Sequence, residues 1–240
     1  MAEKSLGDIH AEIQQRFREA GSEEKAESVR RFFKESIDTY GVSATLAKSL
    51  ASEFARTYSS LAKSDWFDLC DLLWTSGKHE EGLMACHLSL RQKKHFVEDD
   101  FARFEEWVTT CISNWAQCDT FCNHTVGTFV EKYPAYVKKL IGWTNSGNRW
   151  VQRAAAVSLI VPAAKGLFVR ESEEIIRQLS NSRDDMVQKA IGWLMKSMAE
   201  HDQEYVLDFL VAHRNLPKLS VRYASEKFSV ANREKLKSTN

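Results

Sequence analysis

Apolar residues return at every third or fourth position along most of the chain, the spacing of one face of an α-helix. Ile9, Ile13 and Phe17 open the series. After a break at Gly21-Ser22, the residues Val29, Phe32, Phe33 and Ile37 carry a stripe through 23–37, and Ser43 stands as an N-cap before Leu46, Leu50, Phe54 and Tyr58. From Asp65 the stripes come in pairs: 66–74 with 81–90, 101–112 with 115–133, 137–143 with 150–160, 172–179 with 186–199, and 205–213 with 220–228. The breaks between them fall where helices end, at Ser76-Gly77, Pro134 and Pro217 and in the polar runs 144–148 and 180–184. No hairpin signal interrupts the pattern. Three Pro and ten Gly in 240 residues agree with helix throughout.

The pairs also resemble one another. Val151-Gln152-Arg153-Ala154 aligns with Val187-Gln188-Lys189-Ala190 at an offset of 36 residues, and the steps from Trp115 to Trp150, Met186 and Ser220 are 35, 36 and 34. A two-helix unit of that length, stacked on its neighbours, is an α-solenoid of HEAT-like repeats in which the second helices line a concave face. The expected fold is therefore all-α, a single HEAT-like repeat domain over 1–240. Equivalent positions at the starts of the second helices should form a row.

Charge changes this picture only when the chain is halved. The formal net charge is zero, but residues 1–120 hold 15 Lys and Arg against 21 Asp and Glu, and residues 121–240 hold 18 against 12. A basic face is thus available in the second half. Five Cys without a CxxC pair suit packed thiols better than zinc, so no metal is expected, and a reducing compartment fits them. A polar beginning and no long apolar run predict a protein that neither enters nor crosses a membrane.

The candidate chemistry lies on the predicted row. Trp115 and Asp119 stand four residues apart and share a helix face, an indole beside a carboxylate. Arg153 belongs to the next second helix, and Trp193 lies seven residues beyond Met186 in the one after. Two indoles and a carboxylate attract a flat cation, while a guanidinium grips phosphate with paired hydrogen bonds. Alkylated DNA offers a cation and a phosphate side by side. Against this stands the commoner role of Trp in packing, which suits Trp66, Trp74, Trp107 and Trp143.

At these residues the chain resembles the DNA alkylation repair family of HEAT-like-repeat glycosylases, the AlkD type. The likeness runs from about Phe32 to Arg222 and rests on Trp115-xxx-Asp119, on 150–155, on 187–193 and on Leu216-Pro217-Lys218-Leu219-Ser220-x-Arg222. It implies a monofunctional glycosylase that excises N3- and N7-alkylated purines such as 3-methyladenine and 7-methylguanine, working from the sugar side without deep base flipping. Asp119 would be the catalytic carboxylate, Trp115 and Trp193 the aromatic walls, and Arg153 a phosphate contact, with Lys189, Lys196 and Arg222 along the same groove. Phe32 stands where the family often has Tyr, as a lining residue of the lesion site, and Asn114 where it commonly has a further Trp. No cofactor is implied. The expected partner is double-stranded DNA carrying alkylated purines, met by a monomer in the cytoplasm or nucleoid, or in the nucleus of a eukaryote. Some relatives with this fold lack the carboxylate and bind unusual DNA structures instead, so the alternative reading is a non-catalytic HEAT-repeat module that binds damaged or branched DNA.

Overall fold

A computed structural model describes residues 4–238. The described chain is helical and contains no β-strand, only an isolated bridge between Asp38 and Lys78. It divides into two compact units, Met1–Phe121 and Cys122–Asn240. The division falls one residue beyond the midpoint across which the charge balance changes sign.

The first unit contains α1 (Leu6–Ala20), α2 (Glu23–Arg30), α3 (Ala44–Thr57), α4 (Lys63–Thr75), α5 (His79–Arg91), α6 (Asp100–Glu106) and α7 (Trp115–Thr120). A π-helical turn, Trp107–Cys111, extends α6. Ser5, Ser22 and Ser43 each cap the following helix by accepting a backbone N–H, as the sequence predicts for Ser43. The core is aromatic. Phe67, Phe96, Phe104, Trp107 and Phe121 meet edge to face or tilted, at centroid distances of 5.1 to 6.4 Å.

One predicted element is shorter than expected. The helix over 23–37 stops at Arg30, and the N–H groups of Phe32 and Phe33 bond instead to the carbonyls of Val29 and Arg30 in tight turns. The competing force is tertiary. Residues 38–42 are drawn onto the start of α5, where the His79 N–H donates to the Asp38 carbonyl at 2.8 Å and Lys78 pairs with Asp38 at 2.6 Å. The Glu80 carboxylate, fully buried, accepts from Thr39 Oγ1, Tyr40 N and Val42 N at 2.5, 3.0 and 2.8 Å. Gly41 permits the bend: its φ is +78°, and a Cβ there would lie 2.4 Å from the Ala26 nitrogen.

The second unit contains α8 (Gly127–Lys132), α9 (Val137–Trp143), α10 (Arg149–Val157), α11 (Ile160–Ala164), α12 (Val169–Leu179), α13 (Asp185–His201), α14 (Gln203–Ala212), α15 (Lys218–Ala224) and α16 (Val230–Ser238). α16 has no counterpart in the sequence reading. Corresponding caps reproduce the internal repeat: Asn148 accepts from Trp150 N, and Asp184 accepts from Met186 N and Val187 N. The Gln152 and Gln188 amides, 36 residues apart, bond back to the carbonyls of Ser146 and Ser182 at 2.8 and 2.9 Å.

The long α13 packs along α15 at close range. A Cβ on Gly192 would lie 2.6 Å from the Tyr223 Cβ and 2.7 Å from the Ser220 carbonyl oxygen, so only glycine allows this approach. The Ser220 hydroxyl donates to the Gln188 carbonyl at 2.7 Å and fixes the two helices in register. Among the described residues, no helix is long and apolar enough to cross a membrane. All five cysteines are free thiols, and Cys70, Cys86, Cys118 and Cys122 are buried.

Candidate active site

Trp115 is the first residue of α7. Asn114 is its N-cap, extended in backbone and almost fully buried, with the side-chain oxygen accepting the Gln117 N–H at 3.0 Å. An indole at this position would forfeit the cap. Gln117 points inward and reaches the His79 carbonyl at 3.5 Å, which ties α7 to the start of α5. The same turn leaves Trp115 and Asp119 half-exposed on the other side of α7.

Both residues line one cleft of about 340 Å³, whose remaining walls come from the end of α2 with its following turn, from residues 42–44, and from α5. Its lining is mostly apolar, with Ser43, His79, Asp119 and Thr120 as the polar groups. Phe32, expected to line the lesion site, is on this wall and is 76 % exposed. Phe33, which the sequence marks only as part of a helical stripe, holds the closer contact. Its ring stacks on Trp115 at 5.4 Å with an interplanar angle of 22°, and the His79 ring meets Phe33 edge-on at 5.0 Å.

The three rings form a file, His79 to Phe33 to Trp115, that fixes the indole beside Asp119. Nδ1 of His79 is buried without a hydrogen-bond partner. Burial pushes the imidazole below its ordinary value, with the Glu80 carboxylate acting in the opposite sense, so the ring is neutral at pH 7.

The other candidate residues belong to the second unit. Lys189, Trp193 and Lys196 are half-exposed at i, i+4 and i+7 on α13, with Ala190, Ile191, Leu194 and Met195 buried behind them. The result is one indole between two ammonium groups on a single helix face. Lys189 lies 3.7 Å from Asp185 and Lys196 pairs with Glu226 at 2.8 Å. Arg222, on α15, is exposed, its guanidinium 5.7 Å from the Tyr223 ring centroid. Arg153 differs from these: it is only 5 % exposed, and its guanidinium donates to the Met186 carbonyl at the start of α13. It joins two successive repeats.

Comparison with known proteins now decides the family. The model of the family described as DNA alkylation repair enzyme matches residues 13–228. The chain belongs to the DNA alkylation repair enzyme family. Its fold is similar to the solved structure of a predicted DNA alkylation repair enzyme from Enterococcus faecalis, with a TM-score of 0.76 at 18% identity, over 88% of this chain and 97% of that one. No curated protein matches the chain. The all-α architecture expected from the spacing of apolar residues is thus shared with that solved structure.

Proposed function

We propose that this chain is a monofunctional DNA glycosylase acting on cationic N3- and N7-alkylated purines in duplex DNA. The observation that carries the reading is the pairing, on one cleft wall, of the Asp119 carboxylate with the Trp115 indole held in a stack. Alkylation at N3 or N7 gives the purine a positive charge. When the bond from that purine to C1′ breaks, the electron pair leaves with the base and neutralises it, so no general acid is required.

The sugar then carries oxocarbenium character. A carboxylate facing it stabilises that charge and takes the proton of the water that attacks C1′, as carboxylates do in glycoside cleavage. Asp119 has both tasks in this proposal. The Trp115 face would meet the deoxyribose as an electron-rich wall, Phe32 would line the lesion site, and Trp193, as the family resemblance implies, would offer a further indole to the DNA. Lys189, Lys196 and Arg222 would contact backbone phosphates, which supply affinity without sequence information. Arg153 would add a phosphate contact while bracing the start of α13. The products are a free alkylpurine and an abasic site.

The test is release of 3-methyladenine or 7-methylguanine from methylated duplex DNA by the purified protein. Asp119→Asn should lower release by about 100-fold or more and leave duplex affinity nearly unchanged. Undiminished release by that variant would overturn the mechanism. Salt-sensitive duplex binding with no release from any methylated substrate would mark a non-catalytic DNA-binding module instead.

A further inference from the structure

The first unit has a second cleft, of about 380 Å³, that shares no lining residue with the cleft of Asp119. It lies between α4 and the segment formed by α6 and its π-helical turn, and its character is polar. Two indoles line it. The Trp107 Nε1–H donates to Asp71 at 2.7 Å, whereas the Trp74 Nε1–H has no hydrogen-bond partner although Trp74 is only 5 % exposed. The six-membered ring of Trp74 is wedged against α5, since a Cβ on Gly82 would lie 2.9 Å from its Cζ3. The N–H end is therefore turned away from α5. A desolvated donor without an acceptor is a cost of folding that a ligand oxygen would remove.

The charges around it have one sign in excess. Arg103 pairs with Asp68 at 2.9 Å and with Asp71 at 3.5 Å, and Glu106 adds a third carboxylate on the cleft's exposed side. Burial pushes the Asp71 carboxyl above its usual range against the pull of Trp107 and Arg103, and Asp68 and Glu106 push the same way. A polyanion such as DNA is repelled here. What fits is a molecule carrying a cation and, within a few bonds, a hydrogen-bond acceptor. Trp74 and Trp107 supply an apolar part of the lining, which suits a methylene stem. A lysine side chain on a peptide backbone has all three parts. The widened turn beside the cleft is of a kind found often at functional sites.

We infer that this cleft docks a lysine-bearing peptide segment of a partner protein, its ammonium group between Asp71 and Glu106 and a backbone carbonyl on the Trp74 Nε1–H. The inference does not rest on the glycosylase reading. The readout is the indole N–H region of a ¹⁵N spectrum of the full chain, which contains seven Trp; Trp74→Phe assigns the Trp74 peak. Acetyl-Gly-Lys-Gly-amide should shift that peak saturably. The norleucine analogue, which lacks the ammonium, and spermidine, which lacks the acceptor, should not. Glu106→Gln, a surface change, should weaken the peptide about fivefold or more. A Trp74 peak that does not respond to the lysine peptide would overturn the proposal, as would equal responses to spermidine or norleucine peptide, or an unchanged affinity in Glu106→Gln.

Discussion

His79 and Phe33 are the residues on which the geometry of the Asp119 cleft depends most directly. Phe33→Leu keeps the wall apolar and removes the ring stacked on Trp115. Aromatic pairs of this kind contribute about 0.5–1.5 kcal/mol beyond their area, so the fold should lose about that much stability, and release of methylpurine should fall about two- to tenfold as the indole loosens beside Asp119. His79 makes a prediction about pH. Its imidazole is held below the ordinary value of 6.5 by burial, so the unfolded chain takes up this proton before the folded one does. Stability must then fall as pH drops below 6.5 and keep falling down to the folded-state value. In urea denaturation between pH 7.5 and 5, His79→Gln should lose part of this acid sensitivity, and an identical pH profile would refute the account. The sequence could not have shown the importance of Phe33. Its apolar period runs unbroken through Phe32 and Phe33 to Ile37, and only the attachment of residues 38–42 to α5 ends the helix early. Trp115 and Asp119, by contrast, were legible as a pair, because two residues four apart in a helix share a face.

At the scale of elements, the start of α5 is where the first unit is tied together. Its first turn buries two carboxylates side by side. Glu80 holds residues 39–42, and Glu81 accepts from Tyr40 Oη and His10 at 2.6 Å each, joining α1 to the same turn. Two carboxylates at a helix N-terminus also meet the positive end of its dipole. Glu80→Ala would leave the Thr39 hydroxyl and two backbone N–H groups without an acceptor, and should cost about 3–5 kcal/mol by the usual penalty for unmatched buried donors. Because Val42 and Ser43 line the Asp119 cleft, the variant should also lose activity at temperatures where it remains folded. Calorimetry with a parallel release assay checks both. Helix pairs were readable from spacing because a buried stripe is a local property. The π-helical turns at Trp107–Cys111 and Phe121–Val126 were not, since one extra residue in a turn leaves the stripe of apolar residues nearly unchanged.

At the scale of the whole molecule, the charge shift from the first half to the second becomes meaningful through the α13 face. Lys189 and Lys196 flank Trp193 there, yet each already has an acidic neighbour, and Lys196 holds the Glu226 carboxyl below its usual range through a 2.8 Å pair. In the proposed complex a phosphate must displace Glu226 from Lys196, so that this carboxylate competes with DNA for the same ammonium group. Replacing it removes the competitor and one negative charge beside the DNA, and the cost to the fold is small because Glu226 is exposed at the end of α15. Glu226→Gln should therefore tighten binding to undamaged duplex a few-fold at low salt. The gain should shrink as added salt screens the same charges. Lys196→Ala should do the reverse and lower the slope of log affinity against log salt by about one. Titrations at several salt concentrations measure both. If Glu226→Gln weakens binding, or Lys196→Ala leaves the slope unchanged, the phosphates do not lie along this face of α13, and the DNA path proposed over the second unit is wrong.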